Sequence, residues 1–102
     1  MTSASNPTID AWFAGRLPSE WTRIRPADIT VDREEITVTV TVEPAALSDE
    51  ASDADRAEAA AGRLAGFRED TRDRRMAIAR EAEHRFARKV AGAVTIGEVR
   101  HL

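Results

Sequence analysis

Cysteine and tyrosine are missing from the sequence, and lysine occurs once, at Lys89. Without cysteine there are no disulfides, no thiolate metal ligands and no thiol nucleophile. No apolar run approaches the roughly 20 residues of a membrane-spanning helix. The start of the chain, Met1 to Pro7, has neither the basic region nor the apolar core of a signal peptide, so the expected location is the cytoplasm. Five glycines are too few and too scattered to form a G-x-G-x-x-G, Walker or G-x-S-x-G motif. Histidine occurs only as His84 and His101. Arg80 and Arg88 neighbour His84 on a helix and repel a cation, while a metal site needs three or four convergent ligands. The expectation is therefore no metal, no cofactor and no catalytic constellation. Paired-carboxylate chemistry has no support in any motif.

What is present is 102 residues, one domain's worth. Of the 42% hydrophobic residues many are alanine, 19 in all, and each buries little area. Large apolar side chains are few, so the core is small for its length and gains from a second subunit. Net charge is −3, which argues against bulk-charge binding to nucleic acid or an anionic membrane. The charge is uneven: residues 1–62 carry 5 basic and 12 acidic side chains, residues 63–102 carry 10 basic and 6 acidic.

Along the chain, residues 1–7 are small and polar and read as a disordered tail, ahead of a single α+β domain over 8–102. Thr8 is the expected cap of a short helix, Ile9 to Leu17, carrying Ile9, Trp12 and Phe13 on one side. A second turn starts at Pro18-Ser19-Glu20-Trp21. Ile29, Val31, Ile36, Val38, Val40 and Val42 then alternate with threonines, a period of two in β-branched residues. Setting Val31 opposite Ile36 and Ile29 opposite Val38 keeps one face apolar across both strands, which predicts a β-hairpin over about 28–43. Ser52 and Asp55 resemble a capping box. They open a long helix over about 49–89, which either breaks near Gly62 or Gly66 or projects past a domain too narrow for it. Leu64, Phe67, Thr71, Ile78, Ala82 and Phe86 form its apolar stripe. Val90, Val94, Ile96 and Val99 predict a C-terminal strand over about 90–99, kinked or bulged at a glycine and able to complete a three-stranded sheet.

Two sets of side chains stand out as candidate contacts. Arg68, Arg72 and Arg75 form one row on the long helix, Arg80, His84 and Arg88 another, and guanidinium groups so spaced can follow a phosphate backbone. Interleaved acids argue for an ion-paired surface instead: Asp70 with Arg74, Glu81 with Arg85, Glu69 with Arg72. Trp12, Phe13 and Trp21 are the one aromatic concentration, either a lid on the core or an anchor for a partner.

Three stretches carry a resemblance: Trp12-Phe13-Ala14-Gly15-Arg16-Leu17-Pro18 with Trp21; Val31-Asp32-Arg33-Glu34-Glu35-Ile36; and Arg80-Glu81-Ala82-Glu83-His84-Arg85-Phe86 with Arg88-Lys89-Val90. Together they resemble a group of small uncharacterised actinobacterial proteins, a resemblance that implies no activity and no site residue. The leading expectation is a non-enzymatic, self-associating interaction or regulatory protein, a homodimer whose long helix and sheet edge make the contacts with itself or with an unidentified protein partner. The runner-up is nucleic-acid binding, to DNA or RNA, through Arg68, Arg72, Arg75, Arg80 and Arg88. No membrane contact is expected.

Overall fold

A computed structural model describes residues 6–97. The expected end of the last strand at residues 98–99, His101 and tail residues 1–5 lie outside the described residues.

The first helix, α1 (Pro7–Arg16), begins earlier than the sequence suggests. Asn6, not Thr8, is its cap, and its side-chain oxygen accepts from the Ile9 N–H at 3.2 Å. The physical reason is Pro7. A proline at the first helical position has no N–H to leave unpaired, and its φ is already helical. Asn6 and Pro7 therefore belong to the helix start rather than to a tail. Leu17, extended ahead of Pro18, ends α1. Ile9, Phe13 and Leu17, four apart, are all buried. A 3-10 turn over Ser19–Thr22 then drives Trp21 into the core. Ser19 lies inside this turn, whose cap position is Pro18.

The hairpin pairs β1 (Asp28–Val31) antiparallel with β2 (Glu35–Val42) in the register the alternation predicts, Val31 opposite Ile36 and Ile29 opposite Val38. Its tight turn has no glycine or asparagine. Asp32 takes over instead: its Oδ1 accepts from the N–H groups of Glu34 and Glu35 at 2.8 and 2.7 Å, an Asx turn. Those two backbone donors, with the Arg88 charge nearby, hold the Asp32 carboxyl below the ordinary aspartate range. Because its side chain takes the Glu35 N–H, the Asp32 carbonyl is free to accept from Arg88 Nε at 3.0 Å. The Glu34 carbonyl accepts from the Lys89 N–H at 2.9 Å. The hairpin turn thus grips the start of the last strand.

The long helix, α2 (Asp53–Phe86), is a single unbroken element of 34 residues. Gly62 and Gly66 do not interrupt it. The capping box forms, with the Asp55 N–H donating to Ser52 Oγ at 3.0 Å and the Ser52 N–H to Asp55 Oδ2 at 3.2 Å. At 1.5 Å per residue α2 is about 51 Å long, which matches the 48 Å long axis of a molecule only 31 and 25 Å across its other axes. Residues 53–58 are exposed; the stripe starts to pack at Leu64 and Phe67, with Thr71, Ile78 and Ala82 buried.

Ala87 ends α2 in the left-handed conformation, φ 54° and ψ 42°. The left-handed helical region costs an L-residue about 1–2 kcal/mol, partly offset because glycine loses about 0.4–1 kcal/mol more chain entropy on folding. Ala87→Gly is therefore expected to stabilise the fold by about 0.5–1 kcal/mol. A urea titration reads this as a higher midpoint at unchanged slope; an unchanged or lower midpoint would refute it.

The last strand, β3 (Lys89–Ile96), runs parallel to β2, and the sheet order is β1-β2-β3. No bulge interrupts the pairing, which is continuous from Glu35 opposite Lys89 to Val42 opposite Ile96. The direction follows from α2, a crossover of the kind a parallel pair requires. The helix-facing row of the sheet comprises Ile29, Val31, Ile36, Val38, Val40 and Val42, then Val90, Gly92, Val94 and Ile96 on β3. The opposite face is mostly threonine and alanine, from Thr30, Thr37, Thr39, Thr41, Ala91, Ala93 and Thr95, with Asp28, Glu35 and Lys89 at its ends. Phe13, Ile9 and Ile36 are the largest fully buried side chains.

Candidate functional site

The arginine rows are dispersed by the fold. Arg68 and Arg72 are exposed on α2. Arg75, half-buried, lies back along its own helix, with Nε donating to Thr71 Oγ1 at 2.9 Å and Nη2 to the Arg68 carbonyl at 2.6 Å. Thr71 in turn donates to the Phe67 carbonyl at 2.6 Å. Arg80 is exposed and about 120° around the helix from Arg68, at 100° per residue. Arg88 is beyond the helix, bonded to the hairpin turn. The five therefore do not share one face.

None of the three local ion pairs that the spacing suggests is made. Arg74 turns to Glu20 at 3.6 Å, where its guanidinium also lies 5.7 Å from the centre of the Trp21 ring. Glu81 pairs with Arg16 of α1 at 2.6 Å. Longer-range partners displace the i, i+4 ones because α1 and the 3-10 turn lie within reach of α2. Such exposed pairs are worth about 0–1 kcal/mol each. Arg68, Arg72, Arg80 and Arg85 make no ion pair among the described residues.

The aromatic concentration is mostly core. Phe13 is 1% exposed and Trp21 4%. Trp12 is half-buried, edge-on to Phe13 at 4.9 Å and to Phe86 at 5.7 Å. Trp21 meets Phe67 edge-on at 5.6 Å. These contacts fasten α1 and the 3-10 turn to α2.

Two further features bear on contact. The first is the free edge of β3, one of the two edges of the sheet. Lys89 and Gly97 donate their N–H groups to the carbonyls of Glu34 and Val42, so odd-numbered residues of β3 bond to β2 and even-numbered ones face away. The Val90 N–H, pointing outward, is met by Glu83 Oε2 at 3.0 Å. The backbone groups of Gly92, Val94 and Ile96 are left on an open edge whose one charged side chain is Lys89. The second is an apolar cleft between α2 and the sheet, lined among others by Phe13, Trp21, Phe67, Val40, Ile78 and Val94, with room for about 230 Å³. Gly92 sits in the helix-facing row, and a Cβ built there would meet nothing within 4 Å. Its signal in the sequence is a glycine where the alternation calls for a branched residue.

Among the described residues there is no group of three His, Asp or Glu side chains that could hold a metal ion. Among the same residues no helix is long and apolar enough to cross a membrane.

Residues 7–102 match the family model for the Rv1265-like protein, N-terminal domain. The chain is 47% identical over 91 residues to the uncharacterized protein Rv1265 of Mycobacterium tuberculosis, covering 89% of this chain and 38% of that protein. The same figures hold for the uncharacterized protein Mb1296 of Mycobacterium bovis. The chain thus spans well under half the length of these curated relatives. No solved structure matches it. On a family match running from the first turn of α1 through β3, this chain belongs to the Rv1265-like N-terminal domain family.

Proposed function

We propose that this chain is a non-catalytic interaction module that self-associates, with the free edge of β3 and the adjoining face of α2 as its contact surfaces. The observation that carries this reading is the open stretch of that edge: beyond Val90, whose N–H Glu83 takes, the backbone groups of Gly92, Val94 and Ile96 face outward with no bulge or proline to blunt pairing. Pairing of β3 with the same strand of a second copy is isologous and closes, giving a dimer. It also supplies the burial that a core rich in alanine lacks. Light scattering at micromolar concentration is expected to read a dimer. Gly92→Pro removes an outward N–H, leaves the β2 ladder bonds intact and deletes no packed side chain, so it is expected to give a folded monomer. A wild-type monomer, or a Gly92→Pro dimer, would overturn the reading.

A second reading, nucleic-acid binding, is favoured by exposed arginines of α2 that make no ion pair among the described residues, including Arg68, Arg72 and Arg80. It expects retention of duplex DNA or RNA that weakens steeply with salt. The absence of any shift at low salt removes it.

A further inference from the structure

We propose that the cleft between α2 and the sheet binds a small anionic amphiphile, an unbranched carboxylate whose chain enters beside Gly92 and whose head group meets Arg68 and Arg75. Three independent features converge on this chemistry. The walls are aromatic and aliphatic, built from Trp21, Phe67, Val40, Ile78 and Val94. At about 230 Å³ the space is below the roughly 300–1,000 Å³ of sites for drug-sized ligands, so it suits a narrow chain. The charged side chains lining the cleft are two arginines, with no carboxylate among them.

The arginines differ in a useful way. Arg75 is fixed by Thr71 and by the Arg68 carbonyl. Those bonds use two of the five N–H donors a guanidinium carries, and the rest are held in place without further ordering. Arg68 is exposed, and its side chain makes no hydrogen bond or ion pair among the described residues. A carboxylate is the group that a guanidinium fork matches with two parallel bonds. Gly92 keeps the opening clear. The other helix-facing positions of β3 are Val90, Val94 and Ile96, and a branched side chain at Gly92 would occupy the space a ligand needs. The opening lies on the helix-facing side of the sheet, whereas the edge bonding groups lie in its plane, so strand pairing at the edge does not by itself fill the cleft.

The test is a titration of the whole chain with straight-chain carboxylates of increasing length, below their micelle concentrations, alongside the matching primary alcohols. Trp21, one of two tryptophans, lines the cleft and reports by fluorescence. Carboxylate affinity is expected to rise about fourfold per added methylene, then level off once the cleft is full, and to exceed that of the alcohols. Arg68→Gln, an exposed change with no structural partner to lose, is expected to reduce carboxylate binding severalfold while leaving alcohol binding unchanged. Gly92→Leu is expected to abolish both at an unchanged or higher melting temperature. No saturable signal at any length, equal affinity for acids and alcohols in the wild type, or full binding in a folded Gly92→Leu would each overturn the proposal. The first of these would make the cleft a packing gap.

Discussion

Phe13→Ala is expected to destabilise the fold by about 3–5 kcal/mol, the range for truncating a buried aromatic residue. A domain of this size has roughly 5–15 kcal/mol in total, so the variant sits close to unfolding at ambient temperature. Phe13 is 1% exposed and, with Ile9 and Leu17, forms the buried stripe of α1. That helix has only 10 residues, too few to persist in water without packing. Removing the phenyl ring therefore undocks the helix as well as emptying a site. The edge contact at 4.9 Å to Trp12 is lost too, worth about 0.5–1.5 kcal/mol beyond area burial. At about 4–8 °C per kcal/mol, the thermal midpoint falls by roughly 12–40 °C, and the near-ultraviolet signal of Trp12 collapses with it. Phe13→Leu, which keeps most of the volume, is expected to cost less than half as much. A Phe13→Ala loss under about 1 kcal/mol, against the range above, would mean that α1 does not hold the core closed.

The hairpin register, the capping box and the buried stripe of α2 were legible because each is a local pattern with one physical solution. Alternation of valine and threonine allows one apolar face, and Ser52 with Asp55 can satisfy each other only at that spacing. Strand direction was not legible. An alternating strand reads identically in parallel and antiparallel pairs, and β3 is parallel to β2 only because α2 carries the chain back across the sheet. The continuity of α2 was left open by Gly62 and Gly66, whose propensity penalty of about 1 kcal/mol each is small beside the alanine-rich helix formers around them and the packing that begins at Leu64 and Phe67. Ala87 gave no warning of a left-handed end, because alanine is a helix former; the turn there is imposed by the grip of Asp32 and Glu34 on Arg88 and Lys89.

Of the candidate contacts, composition picked out the arginines and aromatics, and the fold then separated them. Phe13 and Trp21 went inside, and Arg75 and Arg88 were taken up by Thr71 and the hairpin turn. Ion pairing was misjudged because helical spacing exposes only neighbours on the same helix, while Glu20 and Arg16 arrive from other elements. A sheet edge was expected as a contact surface, but which strand forms it was not legible, and the cleft was invisible for the same reason: both are set by what stands next to β3, and a single sequence records no neighbours. The strand was expected to kink or bulge at a glycine, whereas Gly92 stays in register and only its missing side chain matters.

Substitutions at Ile36 are expected to separate the two faces of β2 sharply. Ile36 is fully buried on the central strand, opposite Val31 on β1 and Val90 on β3. Ile36→Val removes one methylene and is expected to cost about 0.5–1.5 kcal/mol, and Ile36→Ala about 2–5. Ile36→Thr has nearly the shape of the valine variant but adds a hydroxyl. Nothing polar but the paired backbone stands in that row, so the variant carries the valine cost plus about 1–3 kcal/mol for a buried unpaired group. Thr37, one residue on, faces the threonine and alanine side and is half-buried. Thr37→Ile is accordingly expected to stay within about 0.5 kcal/mol of wild type. Urea titration of the four variants reads the order directly: Thr37→Ile near neutral, Ile36→Val small, Ile36→Thr and Ile36→Ala large. A one-residue slip of β2 would exchange the faces and invert that order, with the Thr37 variant carrying the large effect. That inversion would move every inward residue of β2 outward, and with it the Val38 and Val40 walls of the cleft.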